Sequence, residues 1–342
     1  MRFNILITSA GRRNYLINYF KVALKDRGMI IVADSNKFAT AFSDADVSIC
    51  VSSFNQQEYI EDIVEIIKKY SVKVIISLND YELLVLSKNK KYLESLGTKV
   101  IVPTEEIVSI VFDKWKCHNF INRIGLNSPK SYLKLEDALN DIDNNILNFP
   151  VVIKPMIGSG SEGVELAETV EELKLFYKIK CIQIKKANSI NDSTALSFKN
   201  NVLIQEKVEG KEFGLDIVNN FNSKFFACFA REKLSMRNGE TDMAISVIDK
   251  SLIDVGKQIS KNLMHLGLAD VDVIVQDKKI FILDINLRFG GGYPFSHLAG
   301  ANITAVYVDW IIDNYDLDTK KHINYKSGII HSKYDKLTRI FV

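Results

Sequence analysis

A lysine closing an apolar run, glycines just beyond it, and an acid, an amide and an arginine on alternate positions are the residues of this 342-residue chain that could do chemistry together. The run FPVVIKPMIGSGSEGV, residues 149–164, delivers Lys154 and then Gly158, Ser159, Gly160, Ser161 and Gly163. An ammonium beside side-chain-free backbone suits phosphate: the charge attracts the oxygens and bare N–H groups can close over them. No Gly-Lys-Ser/Thr follows, so this is not a Walker A loop. A flexible hairpin with an unrelated lysine is the competing reading.

Asp284, Asn286 and Arg288 sit at i, i+2 and i+4 of the run Ile280–Leu287. On a strand that continues this far they share one face. Two oxygen donors on one face suit magnesium, a hard cation that prefers carboxylate, amide and phosphate oxygen. Polar residues at a fraying strand end are the plainer alternative. Asp272, on the preceding run Val271–Val275, joins them only if parity allows. A three-residue turn at Asp277–Lys279 puts it opposite Asp284; a two-residue turn puts it opposite Leu283. The alternation Asp272/Ile274/Gln276 against Ile280/Ile282/Asp284 predicts the three-residue turn. Gly290–Gly292 follow directly, a run that costs conformational entropy and makes sense where backbone approaches a ligand closely. The segment VLIQEKVEG, residues 202–210, with Glu212 just after it, is either an ordinary strand end or a hinge. In the second case its backbone meets an adenine edge and a carboxylate takes ribose hydroxyls.

These groups need positioning. The first hundred residues alternate apolar runs (Ile5–Thr8, Met29–Ala33, Lys73–Leu78, Val100–Val102) with a helical face over Gln56–Tyr70, which Ser53 and Gln56 would open as a capping box. Alternation of this kind implies a doubly wound parallel sheet with ligand chemistry at the strands' C-terminal ends, here Ser9–Arg13, Asp34–Asn36 and Asn79–Glu82. SAGRRNY lacks the GxGxxG spacing, so Asp34 alone does not make a dinucleotide site. Helices are predicted from Thr104 through Ile110, over Lys114–Ile124, Leu252–Leu266 and Ala301–Tyr315, with strands dominating from Phe149 onward. Lys178–Asn200, with five lysines against one acid, reads as an exposed loop.

Composition sets the class. Hydrophobic residues make up 47% and charged residues 25%, ordinary for a globular protein of two or three domains. A net charge of +2 disfavours wholesale nucleic-acid binding. The four scattered cysteines make no CxxC pair and read as buried free thiols. There is no 18-residue apolar run and no signal-peptide core, so the chain reads as cytoplasmic with no membrane partner.

Taken together, the residues resemble the ATP-grasp enzymes, in particular the carbamoyl-phosphate-synthase-like branch, and ILITSAGRR and INLRFGGGYPFSHLAGAN add to the likeness. The resemblance implies an α/β fold, α+β in its C-terminal part. A doubly wound pre-ATP-grasp domain over residues 1–112 would precede a small lobe over 113–208 and a large lobe over 209–342. It implies ATP and Mg2+, with Mn2+ as an alternative. Lys114 and Lys154 would meet the nucleotide, Gly158–Gly163 would cover its phosphates, Glu206, Lys207 and Val208 would form the adenine hinge, and Glu212 would hold the ribose. Asp272, Asp284 and Asn286 match the metal ligands and Arg288 the arginine that steadies the transferred phosphoryl group. Arg237 and Glu240 match a segment near the acceptor. The usual Asn-Pro-Arg reads Asn286-Leu287-Arg288, and a common glutamate is Asp284; neither change removes an oxygen or a charge. The implied activity is an ATP-dependent carboxylate–amine ligase working through an acyl phosphate on small-molecule acid and amine substrates. A carboxylate or carbamate kinase and a non-catalytic ATP-binding regulator are the alternatives. Homodimerisation is implied by resemblance only. Of the five histidines only His297 lies near these motifs, and it reads as structural.

Overall fold

The structure, a computed structural model, describes residues 2–158, 163–191, 201–312 and 319–339. The N-terminal unit is a five-stranded parallel sheet ordered β3-β2-β1-β4-β5, built from β1 (Asn4–Thr8), β2 (Ile30–Asp34), β3 (Val47–Cys50), β4 (Val72–Ser77) and β5 (Lys99–Val100). Fully buried β1 and β2 are the continuous apolar runs expected of a sheet covered on both faces. Helices α1 (Asn14–Leu24), α2 (Tyr59–Tyr70) and α3 (Asp80–Ser95) cover it. Edge strand β3 alternates half-buried and exposed residues and carries no apolar run.

The expected capping box is displaced. Gln56 Oε1 does accept from the Ser53 N–H at 2.9 Å, but this bond closes a turn ahead of the helix, which begins at Tyr59.

Two helices, α4 (Glu105–Phe112) and α5 (Lys114–Arg123), lead to a small four-stranded sheet ordered β6-β9-β7-β8. Its strands are β6 (Ser131–Tyr132), β7 (Val151–Pro155), β8 (Glu165–Ala167) and β9 (Val202–Glu206), backed by α6 (Leu135–Asp143) and α7 (Val170–Asn191). Lys178–Asn191, expected as loop, therefore belongs to α7, whose Leu173 and Ile184 enter the small lobe's own core. Sparse apolar residues among lysines hid that helix, and residues 192–200 lie outside the described ones.

The third sheet is antiparallel and ordered β14-β13-β10-β11-β12-β15. Its strands are β10 (Lys211–Asn219), β11 (Phe225–Arg237), β12 (Glu240–Val247), β13 (Gly267–Gln276), β14 (Lys279–Asn286) and β15 (Ile330–Ser332). Helices α8 (Lys250–Leu263), α9 (Tyr293–Leu298) and α10 (Ile303–Ile312) pack around it. Two apolar cores run continuously from the N-terminal sheet into this large lobe, for example from Leu6 and Val108 to Leu215 and Ile285, while the small lobe keeps a separate core around Val151 and Ile204.

Cys117 and Cys228 are buried as expected, but Cys50 on the edge strand is exposed and Cys181 only half-buried; all four are free thiols. Among the described residues no helix is long and apolar enough to cross a membrane.

Candidate active site

The turn between β13 and β14 has two residues, Asp277 and Lys278, both at positive φ (46° and 68°), with Gln276 paired to Lys279. This is the hairpin geometry whose twist matches the flanking strands. The expected three-residue turn is therefore wrong. Asp272 nevertheless stands opposite Asp284, because the ladder slips by one residue at Leu283: Val273 pairs with Ile282, and Asp272 with Asp284. Burial records the slip. Ile280 and Ile282 face the core before it, and Ile285 and Leu287 after it. A bulge of this kind re-aims side chains; here it turns Asp284 and Asn286 away from the core and into a cleft.

The cleft between the small and large lobes has a cavity volume of about 270 Å3. Lys114, Lys154, Gly158 and Pro155 line one part of it, and Glu206, Lys207, Val208 and Glu212 another, with Asp272 and Asp284 at its floor. Each element places its residue for a local reason. Asp113 caps α5 by accepting from the Trp115 and Lys116 N–H groups, which sets Lys114 in the first turn. Lys114 Nζ donates to the Gly158 carbonyl and lies 3.5 Å from Asp284 Oδ2. Lys154, near the end of β7, donates to Gln205 Oε1 at 2.7 Å. Burial, then the neighbouring Lys114 charge, pushes the Lys154 ammonium down to about 8. The hinge is tied to the chain ahead of β6: Glu206 N–H donates to the Lys130 carbonyl at 2.8 Å, and Lys130 N–H to Glu206 Oε2 at 3.1 Å. Gly163 stands at positive φ beside Pro155; Ser159, Gly160 and Ser161 lie outside the described residues.

A second cavity of about 310 Å3 opens from the first, sharing Lys233, Met236, Gly239, Asp272 and Asp284 with it. It is lined by Asn286, Arg288, Glu240, Gly291 and Gly292 of the large lobe and by Arg13, Asn79 and Asp80 of the N-terminal sheet. Arg288 Nε and Nη2 both donate to Asp80 Oδ2, at 3.1 and 2.7 Å, and Nη1 lies 3.7 Å from Asp270. Burial would lower the Arg288 pKa, but these carboxylates outweigh it and hold the guanidinium firmly charged. Asp80 is itself fixed: Asn79 caps α3. The fully buried Glu82 takes hydroxyls from Thr8, Tyr59 and Ser77, pinning that first turn to β1 and β4. Burial raises the Glu82 carboxyl.

Arg237 does not line either cavity. It lies at the end of β11, about half exposed, and pairs with Asp335 at 2.9 Å and Asp242 at 3.0 Å. The long strand β11 carries it past the cleft. Two other cations of that segment take the place expected for it. Lys233 is 2.8 Å from Asp272, and Arg231, fully buried, bridges Asp216 and Asp270 at 2.7 Å each. Glu240 does line the second cavity. His297 stacks on Tyr19 with ring centroids 3.6 Å apart and receives no cavity role. Asp34 accepts from Gly11 and Asn36 N–H groups, shaping the turn after β1.

The donor set fits magnesium. Among the described residues no three acidic, histidine or cysteine side chains converge as a metal cage. Asp272, Asp284 and Asn286 offer two carboxylates and an amide beside a phosphate-sized, lysine-lined space, the arrangement a small cation shares with phosphates and water. Burial raises the Asp272 carboxyl against the pull of Lys233. Residue types and spacing alone do not single out Arg13, Asp80, Lys233 or Arg231. Arg13 and Asp80 do fall in strand-end segments of the parallel sheet, which is the signal that finds them.

Comparison with known proteins places this geometry. The ATP-grasp domain family matches residues 111–292, and the PylC-like N-terminal domain family matches residues 5–101. The carbamoyl phosphate synthase large chain of Thermoanaerobacter sp. (strain X514) is 22% identical over 319 residues, 90% of this chain and 28% of its own length. That of Helicobacter pylori is 21% identical over 94% of this chain and 30% of its own length. The chain thus spans under a third of these curated relatives. Among solved structures, biotin carboxylase from Campylobacter jejuni superposes with a TM-score of 0.73 at 16% identity, over 94% of this chain and 73% of that one. L-amino acid ligase from Bacillus licheniformis gives 0.68 at 16% identity, over 91% and 75%. With more than half its length matched, the chain belongs to the ATP-grasp family.

Proposed function

We propose that the protein is an ATP-dependent carboxylate–amine ligase that works through an acyl phosphate. The observation that carries this reading is the meeting of two cavities at Asp272 and Asp284, with Asn286 and Arg288 continuing the row into the second. One cavity has the lysines and hinge for a nucleotide; the other has room and charge for an acid. ATP bound in the first would set its γ-phosphate at that row, with Lys114 and Lys154 on the phosphate oxygens and Glu206, Lys207, Val208 and Glu212 on the nucleoside. Magnesium held by Asp272, Asp284 and Asn286 would neutralise phosphate charge. A substrate carboxylate oxygen attacks the γ-phosphorus as the bond to the β-phosphate oxygen breaks, leaving ADP and an acyl phosphate. Arg288 stabilises the charge on the transferred group. An amine then attacks the acyl carbon and phosphate leaves.

The test is ADP release from Mg-ATP with pooled carboxylic acids, with and without pooled amines. ADP formation that needs both supports the ligase. The likeness to carbamoyl phosphate synthase large chains favours one second reading, a carboxylate or carbamate kinase, which gives ADP with acid alone. ATP binding with no ADP from any mixture would leave a regulatory nucleotide-binding protein.

A further inference from the structure

The second cavity holds four cationic side chains: Arg13, Arg231, Lys233 and Arg288. Three are already matched by carboxylates. Arg231 has Asp216 and Asp270, Lys233 has Asp272, and Arg288 has Asp80. Arg13 differs. Among the described residues no carboxylate lies within ion-pair distance of its guanidinium: Nη1 donates to the Leu78 carbonyl at 2.7 Å, the Tyr15 hydroxyl lies against it, and the Glu240 carboxylate, which feels its charge, is paired with Lys333 at 3.1 Å.

Its place in the fold is also particular. From β1 the chain proceeds to β2 on one side, and β4 returns on the other, so the gap between the C-terminal ends of β1 and β4 is the switch point of the parallel sheet. Ligands of such sheets bind in that crevice. Arg13 follows β1, Leu78 follows β4, and their hydrogen bond spans the gap. The turn that carries Arg13 is rigid: Ser9 and Gly11 adopt positive φ, and Asp34 accepts the Gly11 N–H at 2.9 Å.

Resting on the ligase reading above, we propose that Arg13 is a specificity-determining residue that binds a second anionic group on the acid substrate, away from the carboxylate that is phosphorylated. The substrate class is then a carboxylic acid with a further carboxylate or a phosphate. Phosphoryl transfer occurs beside Arg288, and Arg13, whose partner Leu78 lies two residues from the Asp80 that holds Arg288, takes the second anionic group at the switch point.

The test compares wild-type protein with Arg13→Gln and Arg13→Lys. ADP release is measured with three pools of matched chain length: monocarboxylic acids, dicarboxylic acids and phosphate-bearing carboxylic acids, each with and without amines. Wild type should favour one dianionic pool by about tenfold or more in kcat/KM, and the favoured pool tells carboxylate from phosphate. Arg13→Gln should shrink that preference below about threefold, chiefly through KM, and Arg13→Lys should keep part of it. KM for ATP should stay within about twofold, because Arg13 does not line the nucleotide cleft. A wild-type preference for monocarboxylates, or a preference that survives Arg13→Gln, overturns the proposal. If no acid supports ADP release, the ligase reading falls, and titration calorimetry with succinate and with inorganic phosphate decides for Arg13. Binding that weakens about tenfold or more in Arg13→Gln upholds the anion site; equal binding, or none by wild type, removes it.

Discussion

Asp80, in the first turn of α3, holds Arg288 across the junction of the parallel sheet and the large lobe, taking both Nε and Nη2 on one carboxylate oxygen. The N-terminal unit thereby aims a side chain of the row proposed above to act on the transferred phosphoryl group. Asp80→Asn should leave the fold intact, since Asp270 remains 3.7 Å from Arg288, but let the guanidinium swing. We expect kcat for acid-dependent ADP release to fall roughly 10–100-fold with little change in KM for ATP, the pattern of a group mispositioned in the transition state. Steady-state kinetics would check it, and an unchanged kcat would show that Asp80 is dispensable for aiming Arg288.

Asp284 should matter more. It contributes a carboxylate to the row and lies 3.5 Å from Lys114. Asp284→Ala should reduce ADP release by about three orders of magnitude or more, a loss of several kcal/mol of charge stabilisation, while circular dichroism stays native. Near-normal turnover would sink the metal assignment.

How Asp284 reaches the cleft shows what sequence could reveal. Alternation correctly put Asp284, Asn286 and Arg288 on one face and Asp272 among their neighbours. It could not show the bulge at Leu283, because a slipped register depends on tertiary packing on both sides of the strand, and two errors of one residue cancelled. The parallel sheet was legible because its apolar runs are continuous; edge strand β3 was not, since half its residues face solvent. The resemblance over Arg231–Asp242 points to the right segment but to Arg237, because the length of β11, which sets Arg231 and Lys233 in the cavity and carries Arg237 past it, is not legible in residue types. Arg13 lies in a strand-end segment that is legible in the sequence, but the distance of every described carboxylate from its guanidinium exists only in three dimensions.

The glycine run also has a measurable consequence. A Cβ on Gly290 would stand 2.0 Å from Asp270 Oδ2, and one on Gly292 2.3 Å from Arg231 Nη2. Neither neighbour can retreat, because Arg231 is locked between Asp216 and Asp270. Gly290→Ala and Gly292→Ala should each cost about 3–5 kcal/mol by breaking a buried charge pair. Denaturant midpoints would show it; a loss under about 1 kcal/mol would mean the network yields more easily than its packing suggests.

Acid should destabilise the protein through its buried histidines. His265 is fully buried, and among the described residues neither ring nitrogen makes a well-formed hydrogen bond, only weak contacts with the Leu266 and Gly267 backbone. Burial pushes its pKa down to about 4, from an ordinary value near 6.5. His297, packed on Tyr19, is pushed to about 4 by the same cause. In the folded protein both rings stay neutral down to that pH, whereas the unfolded chain takes up protons from about 6.5 downward. Stability is therefore undiminished by these groups above about 6.5 and declines as pH falls from there toward 4. For His265 the total loss is roughly 3 kcal/mol, at about 1.4 kcal/mol per unit. His265→Leu removes one of the two protons from this balance. Its denaturant midpoint should consequently vary less between pH 7 and pH 4 than that of wild type, and an identical pH profile would show that His265 is not charged on unfolding in this range.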